Sequence, residues 1–81
     1  MPRYFLHQLT KHGLIHDHEG SELRDLEEAR LEAIKDARHI MADAVRSGRN
    51  IVSRSFQVHD EAGNLLLVIP FSEAISIHSS D

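Results

Sequence analysis

The sequence predicts an α+β domain in which an antiparallel sheet, built in ββαββ order, packs against one long helix. Three observations predict it. Residues 25–48 read as a complete helix with both ends marked. Two strand-like segments precede that helix, and two more follow it. The last of them, residues 65–69, is apolar at every position and needs cover.

In order along the chain, residues 4–9 are aromatic and aliphatic with His7 and Gln8 near their end, which suits a first strand. Thr10, Lys11, His12 and Gly13 supply a turn, and residues 14–16 a short return strand. Residues 17–24 are polar, hold Gly20 and lead to the helix. Within the helix, apolar residues recur at Leu26, Ala29, Ala33, Ile34, Ala37, Ile40, Met41, Ala44 and Val45, the spacing of one buried stripe. Asp25 stands at the N-cap and Glu28 completes a capping box. Gly48 can take the left-handed conformation that ends a helix. Early acids (Asp25, Glu27, Glu28) and a late Arg46 complement the helix dipole.

Past Gly48, residues 52–59 alternate with period two, with Val52, Arg54, Phe56 and Val58 on one face and Ser53, Ser55, Gln57 and His59 on the other. Asp60, Glu61, Ala62 and Gly63 fit a type I turn with a glycine bulge. The apolar strand 65–69 is expected to lie centrally or to be covered on both faces. One helix covers one face, so a second subunit or the C-terminal segment must cover the other. Residues 70–75 read as the strand's end and a short helical turn, and 76–81 as a frayed tail.

Eighty-one residues make a single domain, residues 1–81, and such a chain buries only about 60–65% of its unfolded surface. No cysteine is present to reinforce it, which leaves packing or self-association. Nine basic against thirteen acidic residues give a net charge of −4, which argues against general attraction to nucleic acid or anionic lipid. No apolar run approaches a membrane span and no signal peptide is evident, so a cytoplasmic protein is expected.

Several segments together resemble a known family. They are Met1, Pro2, Arg3, Tyr4, Phe5, Leu6 and His7 at the start, and Asp17, His18, Glu19, Gly20, Ser21, Glu22 and Leu23 before the helix. Ala29, Glu32 and Ala33 follow within it, then Asp60, Glu61, Ala62 and Gly63, and finally Pro70, Phe71, Ser72, Glu73 and Ala74. The resemblance is to small bacterial proteins known only as a domain of unknown function. It spans nearly the whole chain and implies a cytosolic protein without an assigned activity or catalytic residues. The histidines at 12, 16 and 18 depart from that pattern.

Seven histidines are the compositional oddity. His12, His16 and His18, beside Asp17 and Glu19, form a candidate metal site, since imidazole and carboxylate suit zinc, nickel or copper. Solvated histidines on a hairpin edge account for the pattern more simply. His7 reads as a hydrogen-bonded strand histidine. Arg46, Arg49 and Arg54, with Asn50, surround the helix end and could contact an anion, although arginines there also complement the dipole. Tyr4, Phe5 and Phe56 could stack bases, but core packing explains three aromatics more simply. No nucleophile elbow, phosphate loop or HExxH motif is present, so no enzyme and no cofactor are expected. The reading is a non-enzymatic interaction module acting as a homodimer. The alternatives are an antitoxin-like regulator that binds a protein partner or DNA, and metal binding through the histidines.

Overall fold

The computed structural model describes residues 1–75, and the tail expected over 76–81 lies outside them. The chain forms β1 (Arg3–Thr10), β2 (Gly13–Ile15), β3 (Ser21–Glu22), α1 (Leu26–Arg46), β4 (Ser55–His59) and β5 (Leu65–Pro70), then a 3₁₀ turn, Phe71–Ala74. The predicted α+β architecture is present. Its antiparallel sheet has the order β2-β1-β4-β5, with β3 paired to the start of β1. The two-residue β3 was not anticipated, because Ser21 and Glu22 carry no apolar alternation for a sequence to show.

Both helix ends form as their residues dictate. Asp25 is extended, and its side chain accepts from Glu28 N at 2.9 Å. The return arm of the capping box misses by one residue: Glu28 Oε1 accepts from Arg24 N at 3.3 Å, and Arg24 adds an ion pair to the same carboxylate. At the other end Gly48 takes φ +79°. Its N–H donates to the Val45 carbonyl at 2.9 Å, and Arg49 N donates to the Ala44 carbonyl at 2.8 Å. That pair of bonds is a Schellman stop.

The helix meets the sheet through small residues. Ala29, Ala33, Ala37 and Ala44 are buried, with Met41, against Tyr4, Phe56, Val58, Ile69 and Phe71. Leu26, Ile34 and Ile40 are only half-buried at the border of this core, and Val45 is 69% exposed. The predicted stripe was therefore too wide on the Val45 side. Alanines let the helix axis approach the sheet, and the volume is filled by the aromatics beneath it.

One expectation is corrected. Among the described residues, the apolar strand β5 is neither central nor covered on both faces: it pairs with β4 alone and is an edge of the sheet. Ile69 is buried under the helix, but Leu65, Leu66 and Val68 are 52%, 37% and 52% exposed. An unbroken apolar run records that a strand has no polar face; it does not record which neighbours it has. The molecule measures 41 × 31 × 17 Å, thin enough for one sheet and one helix layer. Among the described residues, no helix lies on the opposite face of the sheet.

Candidate functional site

The helix-free face is set by strand register. Leu6 pairs with Val58 and Gln8 with Phe56 on the helix side, so Phe5, His7 and Leu9 project the other way, with Ser55, Gln57 and His59. Phe5 lies opposite His59 in register, which brings His7 and His59 to a ring-centroid separation of 4.8 Å. His16, just past β2, stands 5.0 Å from His7, and His18 stacks on His16 at 6.0 Å. Four histidines thus gather on one face.

Hydrogen bonds fix the state of the central ring. His7 Nδ1 accepts the Asp17 backbone N–H at 2.9 Å, so the neutral ring carries its proton on Nε2. Asp17 returns the contact: its Oδ2 accepts from Leu6 N at 3.1 Å and its Oδ1 from Gly20 N at 3.0 Å. This exchange ties the loop between β2 and β3 to the edge of β1. Burial lowers the pKa of His7, and the neighbouring His59 and His16 lower it further; Asp17 opposes them. A ring with Nδ1 engaged and Nε2 protonated offers no lone pair to a metal ion. His59 donates from Nδ1 to the Gly63 carbonyl at 3.2 Å, which orients it against its own hairpin turn.

The expected metal trio is divided by the fold. His16 and His18 join His7 and His59, while His12 sits in the β1–β2 turn, where its backbone N–H bonds Thr10 Oγ1 at 3.0 Å. Among the described residues, no group of three histidine, cysteine or acidic side chains is placed to hold a metal ion.

His12 belongs instead to a second feature, a cleft of about 480 Å³ between the β1–β2 turn and the segment after the helix. Lys11, His12, Arg49 and Arg54 line it, and among the described residues no carboxylate does. Two of the three predicted anion contacts, Arg49 and Arg54, are therefore brought together. Arg46 is not: it pairs with Asp43 on the helix surface. The Arg54 guanidinium is held by Gln8 Oε1 at 2.6 Å. Lys11 escaped sequence reasoning because it lies 38 positions before Arg49. Its only signal was a basic residue at a hairpin tip. His59 was missed as a cluster member for a similar reason, since only strand order places it beside His7.

A third concavity, of about 340 Å³, separates the helix from β1 and contains Leu6, Asp17, Asp36, His39 and Phe56. The Asp36 carboxyl there is raised to about 6, first by burial and then by the adjacent Glu32; Lys35 and His39 pull the other way. Among the described residues, no helix is long and apolar enough to cross a membrane.

A family model described as a domain of unknown function (DUF6894) matches residues 3–72. No curated protein and no solved structure matches the chain.

Proposed function

We propose, for a chain that belongs to the DUF6894 family of domains of unknown function, a non-enzymatic role as an interaction module that self-associates through β5. One observation carries this reading: among the described residues β5 has no partner on its outer edge, and its Leu65, Leu66 and Val68 face solvent.

Edge strands of stable monomers are commonly blunted by charge, bulges or a covering segment, because free N–H and C=O groups template further pairing. Residues 65–70 contain no charged side chain. The register shift between Val58 and His59 lies at one end of the β4–β5 pairing, and Pro70 lies at the other. Between them the strand remains open. Antiparallel pairing of β5 with β5 of a second copy is self-complementary under a two-fold axis, as a closed homodimer requires. It continues the sheet and shields the apolar side chains of a small domain that no disulfide reinforces.

Sedimentation equilibrium at micromolar concentration tests the reading. The expected result is a dimer for the native chain and a monomer for Val68→Lys, which places a charge in the pairing edge. A native chain that sediments only as a monomer overturns it.

A further inference from the structure

We infer that the basic cleft at the helix C-terminus is a binding site for a small phosphate-bearing anion, a diphosphate group or its ester. The inference does not depend on self-association, because no β5 residue lines the cleft.

The local charge runs against that of the molecule. A chain of net charge −4 places Lys11, His12, Arg49 and Arg54 around one concavity with no acid among them. The other arginines with defined ion pairs, Arg3, Arg24, Arg30 and Arg46, each face a carboxylate. Among the described residues, Lys11 and Arg49 are not in any of these pairs. Solvated faces of this protein are laced with alternating charge; this cleft is not.

The walls are also fixed before any ligand arrives. Thr10 Oγ1 accepts from His12 N and donates to the Gly13 carbonyl, both at 3.0 Å, which sets the turn that carries Lys11. Arg49 N is tied to Ala44 O in the helix stop. Asn50 Oδ1 accepts from Val52 N at 3.0 Å, and Arg54 N donates to the Ile51 carbonyl at 3.1 Å. The Arg54 guanidinium is pinned by Gln8. Basic groups on a rigid frame lose little freedom when they close on an anion, and guanidinium forks match phosphate oxygens. The helix end does not counter them strongly, because the Ala44 and Val45 carbonyls already accept the N–H groups of the stop.

Size and charge select the ligand. About 480 Å³ lies within the range of small-molecule sites. Ile51 is the one apolar residue among those lining the cleft, and four of the others are basic, so the recognised part is the anion. A long polyanion would meet the acidic remainder of the surface, whereas a diphosphate-sized anion meets only the cleft.

Calorimetric titration of the full chain with inorganic pyrophosphate at low ionic strength tests the site. Binding is expected, and Arg49→Gln or Lys11→Gln is expected to weaken it about tenfold each, the loss of one charge-assisted contact. Both side chains are exposed, and unchanged melting temperatures verify that the variants are folded. Arg46→Gln, outside the cleft, is expected to leave affinity unchanged. Absence of pyrophosphate binding overturns the inference, as does equal weakening by Arg46→Gln, which would mark diffuse surface charge. Binding of a single-stranded oligonucleotide without binding of pyrophosphate overturns it as well.

Discussion

At the scale of single residues, the backbone amide of Asp17 governs His7. It needs an unprotonated Nδ1, so the folded chain resists protonating this ring, and burial and two neighbouring histidines act in the same direction. The folded pKa is lowered, so the unfolded chain takes up the proton first as pH falls below about 6.5. The His7 contribution is thus complete above that pH and is lost as pH drops through the folded value. Urea unfolding of the native chain and His7→Gln at about pH 8 and about pH 5 checks this. The native chain is expected to lose more stability between the two conditions than the variant. An equal loss would mean that His7 is not the sensor.

Asp36 has the opposite sign. Its carboxyl, raised to about 6, keeps a proton in the folded state that the unfolded state releases from about 3.8 upward. Stability therefore falls as pH rises through that window and stays reduced above it. The site is only half-buried, and solvent screening reduces the effect to about 1 kcal/mol. Asp36→Asn is expected to stabilise the protein by that amount near neutrality and by nothing in acid, as read from unfolding midpoints. Gly20 is constrained more simply. At φ +69° an added Cβ would lie 2.8 Å from Phe5 Cε2 and 2.9 Å from the Tyr4 carbonyl oxygen. Gly20→Ala is expected to destabilise by about 2 kcal/mol or more, because backbone strain and a clash with backbone combine. Gly48→Ala is expected to cost less, since nothing lies within 4 Å of its Cβ position.

At the scale of elements, the helix buries alanines where a sequence reader would look for large side chains. Ala33 and Ala37 are fully buried, whereas Ile34 and Ile40 only border the core. Ala37→Leu is expected to cost about 1–3 kcal/mol by forcing helix and sheet apart, while the exposed Val45→Ala changes stability by less than about 0.5 kcal/mol. Chemical denaturation of the two variants measures the contrast, and a larger loss at Val45 would place the helix on the wrong face. The caps were legible in the sequence because Asp25 and Gly48 act through bonds to residues within five positions. The hairpin turns were legible for the same reason. What needed long-range pairing was not. The position of β5 at an edge, the meeting of His7 with His59, and the meeting of Lys11 with Arg49 all follow from strand order. No periodicity encodes it. Half of each cluster was visible as residue type, with His16 and His18 in one and Arg49 and Arg54 in the other, and the fold supplied the partners.

At the scale of the whole molecule, a domain 17 Å across its shortest axis has one protected interior, and its sheet has two unequal edges. The β2 side is closed in part by β3 and by the Asp17 carboxylate on Leu6 N. The β5 side has no such closure among the described residues. Amide exchange separates the consequences. β4 is hydrogen-bonded on both sides, to β1 and β5, and its protection is expected to be independent of protein concentration. Among the described residues β5 has one bonded side, so under the proposed pairing its outward amides gain protection only between copies. If β5 pairs between copies as proposed, diluting the protein is expected to speed exchange in residues 65–69 while β4 and the buried turn of α1 stay unchanged. Val68→Lys is expected to show the fast β5 pattern at every concentration. Concentration-independent protection of β5 equal to that of β4 would mean that its edge is covered within one chain, and pairing between copies would then have no free edge to use.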